Sequence, residues 1–478
     1  MAAATKIEHP TVEDRKARGK SLRDQAAPSS HAGWEPAADR PDPVSLLEEQ
    51  DASREQDLVP VRHGRMMVSP FTFYRGAAKI MAADLQATPR AGLDVQLCGD
   101  AHLSNFGMFA SPERSLLFDL NDFDETLPGP FEYDVKRMSA SFTIAGRNNG
   151  FSEAETRDVT LASARAYRQS MARFAKMGTM DIWYAHLSES DLLAAIRNLT
   201  RTADGTGKKA AKKDAKKAKA SMAKARTRDS LQALSKLAEL VDGRYRIVSQ
   251  PPIVIPFRDV PAVAGLSPDQ LQQVIEEQFR AYRSTLQNDR RHLLERFQIV
   301  DVARKVVGVG SVGTRAYIAL LQGRDERDPL FLQVKEASAS VLEDHLPKSR
   351  FKQPGERVVQ GQRLMQAASD IYLGWTKGTM NDRHFYWRQL RDMKASAVVE
   401  SMRPANLGFY AGACGWTLAR AHARSGDPIA IAAYLGKGDD FDRSVADFSE
   451  RYADQNDRDF EAFVQAVGSG RLEAIEGV

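Results

Sequence analysis

Two stretches of this chain carry residue types that could do chemistry, and they lie far apart. The first, CGDAHLSNFGMFASPERSLLFDLNDFDE, sets Asp100 five residues before Asn105 and then delivers Asp119, Asp122 and Asp124 within six residues. Carboxylates beside an amide side chain offer the oxygen ligands that a hard cation such as Mg2+ takes, leaving positions for phosphate oxygens and water. A carboxylate just upstream, outside the metal set, can accept a proton from a hydroxyl. The second, VVGVGSVGTRAYIALLQGRDERDPLFLQVKEA, reads G-x-G-x-x-G at Gly308, Gly310 and Gly313, with Ser311 between them and Lys335 beyond. Glycines let backbone N–H groups close over phosphates, and a lysine can reach the phosphate oxygens.

Each half is ambiguous by itself. A Rossmann turn shares the glycine spacing but needs a helix after the third glycine. Here TRAYIALLQG is short and ends in Gly and charged residues, which suits a hairpin strand. The GDxH of the acidic stretch also opens a metal-dependent phosphoesterase motif. That chemistry needs further histidine ligands, and the other histidines are scattered singly. His102 therefore reads as a hydrogen-bonding residue of the loop. One reaction class uses both halves. Asp-x4-Asn is the spacing of the protein-kinase catalytic loop, and a glycine loop followed by a lysine near the end of a later strand is the kinase phosphate site. In that reading Asp100 is the base and Asn105, Asp122 and Asp124 are the candidate Mg2+ ligands. Gly308, Gly310, Ser311, Gly313 and Lys335 would hold ATP. Glu336 points to the opposite strand face from Lys335, so Glu343, or else Glu356, is expected to orient the lysine. A phosphohydrolase, an adenylyl transferase and a nucleotide-binding pseudokinase remain as alternatives, and whether Asp119, Asp122 or Asp124 holds the metal stays open.

The elements that would position these residues can be read from patterning. After Pro70 the apolar spacing predicts one helix through Met81. LDVQL and SLLFDL read as strands, and LPGP as a break. FEYDVKRMSASFTIAGRN and EAETRDVTLASARAYRQSMARFAKM read as helices. Ser267, followed by Pro268, predicts the N-terminus of a further helix. From about residue 298 the pattern turns to strands, and from Met402 it is Ala-rich and helical. The resulting expectation has four parts: a flexible arm over 1–58, a helical lobe over 59–297, a strand-rich nucleotide lobe over 298–394 and helices over 395–478. Kinases run glycine loop first and catalytic loop second, whereas this chain runs the reverse. An α+β, protein-kinase-like two-lobe fold that is circularly permuted reconciles the order.

Composition adds limits. The 478 residues are 42% hydrophobic and 27% charged, as in globular domains. Ten Lys/Arg against one Asp fall between Lys208 and Arg228. Subtracting that excess of nine from the net +4 leaves about −5 for the remainder. The basic segment (about 205–228) reads as a solvated insertion that could meet an anionic partner. A nucleic-acid partner is not expected for the body of the protein. Two cysteines, Cys98 and Cys414, exclude a disulfide framework. The absence of an apolar leader or long apolar run makes a cytoplasmic location, with no membrane partner, the expectation.

The segments RMMVSPFTFYRGAA, GDAHLSNFG, DLNDFDETLPGPFEYDVKR, GVGSVGTRAY, LFLQVKEA, ARAHARSGD and RYADQNDRD together closely resemble the bacterial domain-of-unknown-function family 2252 from about residue 60 to the C-terminus. The local GDxHxxN…DFD…D pattern, with Asp134 last, is also similar to aminoglycoside and choline kinases. Those place His directly before Gly-Asp, where this chain has Cys98. The family resemblance implies a bacterial protein of no established activity; the residues themselves lead to the expectation of a phosphotransferase with an unidentified small-molecule or protein acceptor.

Overall fold

The computed structural model describes residues 9–202, 205–259, 267–306, 308–378, 382–390 and 393–477. It mixes helices and antiparallel sheets, as the α+β patterning predicts. Helix Phe131–Asn148 is buried along nearly its whole length. Its neighbour Glu153–Phe174 starts at a Ser152/Glu155 capping box. Pro404–Ser425 and Asp440–Gly468 pack on this pair. The helical body thus takes elements from both ends of the chain, around a core that includes Phe131, Tyr167, Leu418 and Phe441.

A six-stranded antiparallel sheet is laid out as Gly374–Lys377, His384–Gln389, Pro329–Ala337, Ala316–Gln322, Gln298–Lys305 and Val254–Pro256. Alternation along Pro329–Ala337 puts Leu330, Leu332 and Val334 against one apolar cluster and Phe331 against another. Gln333 and Lys335 share the face of Phe331. Ser267 caps helix Pro268–Ser284 as expected, and Tyr282 of that helix stacks on Trp387 of the sheet at 4.5 Å. Helix Ser230–Leu237 covers the opposite face through Leu234 and Leu237. The strand-rich unit therefore draws in elements from Ser230 onward, well before the expected start at 298. A sheet apolar on both faces must be covered on both, and these helices do so.

Other expectations need correction. The helix foreseen after Pro70 is two helices, Pro70–Gly76 and Ala78–Leu85, parted at Ala77. LPGP is no break: Leu127–Pro130 pairs with Asp94–Leu97. Residues 1–8 of the expected flexible arm lie outside the described residues, but 9–58 form a packed belt. Val12–Ser21 lies on helix Pro428–Leu435. Trp34 is 6% exposed and meets Phe448 and Tyr452, and Leu47 is buried with Phe73 and Phe463. Scattered single apolar residues carry no period, so the sequence pattern missed them.

The basic segment is helix Gly205–Arg226. Its lysines are exposed, Met222 and Ala225 enter the main core, and Asp214 accepts from Arg403 and Asn406. Among the described residues no helix is long and apolar enough to cross a membrane.

Candidate functional site

The acidic half-site is a strand-to-turn junction held from behind. Asp94–Leu97 ends at Cys98-Gly99, whose two N–H groups donate to the buried Asp134 carboxylate at 2.6 and 3.0 Å. His422 Nε2 meets the same carboxylate at 3.2 Å, while its Nδ1 pairs with the Tyr167 hydroxyl at 2.8 Å. Asp134 is thus the anchor of the turn. Gly99 is needed because its φ is +87° and a Cβ would lie 2.1 Å from the Glu125 carbonyl oxygen. The Cys98 thiol donates to the Asp122 carbonyl at 3.1 Å and links the two acidic turns.

Within that frame Asp100 accepts from Arg137 Nε at 2.7 Å. The Asn105 side-chain amide donates to the Asp100 carbonyl at 2.6 Å. His102 Nδ1 accepts from the Ser104 N–H, and its Nε2 lies 3.7 Å from Asp100. Burial lowers the His102 pKa to about 4, with Asp100 opposing the shift and Arg137 and Arg75 adding to it. The ring is neutral at pH 7 and serves the loop.

The glycine-rich half-site is a hairpin turn between Gln298–Lys305 and Ala316–Gln322. A strand follows the third glycine, so the Rossmann geometry is excluded. Gly308 and Gly310 line a cleft; Gly313, at φ +86°, packs outside it against Arg54. The turn is clamped from the N-terminal side: Arg65 donates to the Gly308 carbonyl, Arg54 to that of Val312, and the Glu55 N–H to that of Gly313. Arg315 pairs with Glu336 at 3.2 Å, and Arg383 pairs with the other oxygen of that carboxylate at 2.5 Å.

The two halves meet. A cleft of about 340 Å³ is lined by Asp100, Asn105, Asp122 and Asp124 from one half and by Gly308, Gly310 and Ser311 from the other. A neighbouring chamber of about 290 Å³ shares Asp122, Gly308 and Ser311 and adds Lys335, Gln333 and Arg388. At the junction Lys335 Nζ lies 2.6 Å from Asp124, 3.7 Å from Asp122 and 3.4 Å from Ser311 Oγ. Burial alone would raise the Asp122 pKa, but Lys335, with Arg388 and Lys394 behind it, brings it down to about 2. Asp122 is ionised throughout the neutral range.

Besides Gly313, two assignments change, and Asp119, left open by the sequence, drops out. Glu343 does not touch Lys335. It caps its own short turn through the Ser340 N–H at 3.3 Å, with Arg357 at 3.9 Å. That turn follows the lysine strand too closely to bring the carboxylate back over the sheet. Asp124, expected as a metal ligand, is the lysine's partner: one oxygen takes Lys335 and the other takes the Tyr386 hydroxyl at 2.7 Å. Asp119 is used up by Arg420 and the Ala367 N–H. Of the expected metal ligands, the Asp122 carboxylate and the Asn105 side-chain carbonyl remain on the cleft wall, a small hard set that fits Mg2+ shared with phosphate oxygens. Among the described residues no group of three His, Cys, Asp or Glu side chains is arranged to hold a metal.

Sequence reasoning missed Arg357, Tyr386 and Arg137. Arg357 donates to the Asp124 and Ser338 carbonyls at 2.7 and 2.9 Å. Their only sequence signal was a polar residue inside an apolar pattern.

A family model described as an uncharacterized protein conserved in bacteria (DUF2252) matches residues 54–466. No curated protein and no solved structure matches the chain significantly.

Proposed function

The chain belongs to that bacterial family, DUF2252, and for it we propose an ATP- and Mg2+-dependent phosphotransferase of kinase-like, circularly permuted architecture. The observation that carries the reading is Lys335 within 4 Å of both Asp122 and Asp124 at the meeting of the glycine turn and the acidic turns. The order of elements supports it: glycine turn between two strands, lysine on the next strand, then helix Pro354–Met365 and two more strands. The acidic loops precede these in sequence, and the permutation accounts for that.

Asp122 and Asn105 would hold Mg2+, which when bound supplies positive charge to the phosphate oxygens. Lys335, pinned by Asp124 and Tyr386, donates to the same oxygens. Gly308, Gly310 and Ser311 close over the phosphates with backbone N–H groups and a hydroxyl. Asp100, oriented by Arg137, takes the proton of an acceptor hydroxyl. That oxygen forms the new bond to the γ-phosphorus, the bond from phosphorus to the bridging oxygen breaks, and ADP leaves. The acceptor is a small molecule or a protein side chain bearing a hydroxyl.

Thermal unfolding with ATP, with and without Mg2+, tests this for the wild type, Lys335→Ala and Asp122→Asn. Ligand at a hundred times its Kd adds about 2.7 kcal/mol. Stabilisation of the wild type by Mg2+ and ATP together, lost in both variants, is the expected result. Stabilisation by Mg2+ alone through Asp122, with no response to ATP, would transfer the site to a phosphohydrolase.

A further inference from the structure

Arg75 stands apart from the other charges of the cleft. It ends helix Pro70–Gly76 and lines the same chamber as Asp100 and His102. The other charges of that wall are matched. Lys79 is 3.0 Å from Glu49 and 3.4 Å from Asp344. Arg54 donates to Val312 and faces Asp51 at 3.3 Å. Arg137, behind Asp100, is bound to Asp100 and to the Tyr74 carbonyl. Among the described residues Arg75 has neither hydrogen bond nor ion pair; its Nε is buried without a partner, and its guanidinium rests 5.9 Å over Phe71. A partly buried guanidinium with no carboxylate in contact, Glu400 and Asp100 acting on it only at longer range, is costly, and an anion arriving with the ligand repays that cost.

Position decides which anion. The chamber that holds Lys335 and Arg388 does not include Arg75 or Asp100, and the chamber that holds Arg75 and Asp100 does not include Lys335. The two communicate through Asp122, Gly308 and Ser311. With nucleotide phosphates at that junction, Arg75 falls on the acceptor side beside the base.

We infer that Arg75 binds an anionic group, a carboxylate or a phosphate, on the acceptor, so that the substrate is a hydroxyl compound carrying its own negative charge. This deepens the phosphotransferase reading and rests on it. A guanidinium fork matches either oxyanion with two parallel hydrogen bonds.

The full chain is followed by thermal unfolding against inorganic phosphate and against lactate at constant ionic strength. The titrations are run with and without Mg2+ and a non-hydrolysable ATP analogue, for the wild type, Arg75→Ala, Arg75→Gln and Lys335→Ala. At least one anion raises the wild-type midpoint saturably. Its half-saturating concentration increases about ten- to a hundredfold in both Arg75 variants and little in Lys335→Ala, while nucleotide half-saturation in the Arg75 variants stays within about twofold. A response to phosphate alone assigns a phosphorylated acceptor, and a response to lactate alone a carboxylated one. No anion response in the wild type, or an equal response in the Arg75 variants, overturns the inference. So does loss of nucleotide binding on Arg75 substitution with the anion response kept. An Arg75-dependent anion response in a wild type that ignores nucleotide would sink the phosphotransferase reading while leaving the anion site standing.

Discussion

Lys335 and Asp124, separated by 211 positions in the sequence, meet at 2.6 Å. The lysine side chain is 3% exposed and the carboxylate 29%. A buried ammonium needs a carboxylate that stays in place. Here a residue on the acidic turn supplies it, so the charge that orients the lysine also ties the glycine-bearing sheet to the acidic turns.

Asp122 and Asp124 should therefore separate cleanly on substitution. Asp124→Ala strands a buried lysine and the Tyr386 hydroxyl, and is expected to cost about 2–3 kcal/mol in urea unfolding. Asp122→Asn, at a carboxylate of similar exposure but 3.7 Å from Lys335 and without a direct hydrogen bond to it, should cost less than Asp124→Ala yet remove the response to Mg2+ and ATP. Equal losses of stability in the two would refute this division of roles. The double substitution Lys335→Met/Asp124→Leu should recover part of the loss, since the buried ammonium goes with its carboxylate and Asp122 keeps Arg388 and Lys394.

The turn at Cys98-Gly99 hangs on Asp134. Asp134→Ala leaves two buried N–H groups and His422 without an acceptor, at an expected cost of about 2–3 kcal/mol. Hydrogen exchange should speed up at residues 98–105 more than in helix Glu153–Phe174. Uniform acceleration across both segments would mean that Asp134 serves global packing and not the loop.

His31 makes the fold acid-sensitive. It is 1% exposed, pairs with the Tyr434 hydroxyl at 2.7 Å, and burial, aided by Lys136, lowers its pKa from 6.5 to about 3. The folded state keeps the ring neutral, whereas the unfolded chain binds a proton below its ordinary pKa. The stability this group contributes is full above pH 6.5 and is lost as pH falls from there towards 3. Between about pH 7.5 and pH 4.5 the wild type should lose roughly 2–3 kcal/mol more than His31→Phe. Parallel pH profiles for the two proteins would contradict this.

The N-terminal belt should matter to folding. Trp34→Ala empties a site against Phe448 and Tyr452 and is expected to cost about 3–4 kcal/mol. Removal of residues 1–52 should lower the melting point in place of leaving it unchanged. A truncated chain with wild-type stability would restore the arm to a dispensable role.

How much of this was legible in the sequence differs from element to element. Helices such as Phe131–Asn148 and Pro268–Ser284 announce themselves because period and caps are local properties of neighbouring residues. The glycine turn, the lysine strand and the Asp100–Asn105 loop were found for the same reason: each is a short pattern with its own spacing. The partners of those residues were not legible. Which carboxylate reaches Lys335, whether Arg75 finds a counter-ion, and that Asp119 goes to Arg420 are all set by contacts between segments distant in sequence. Several acidic residues offered equivalent local chemistry. Only chain packing, which brings one oxygen to within hydrogen-bond reach of a buried cation and leaves the next a few ångströms away, could choose among them.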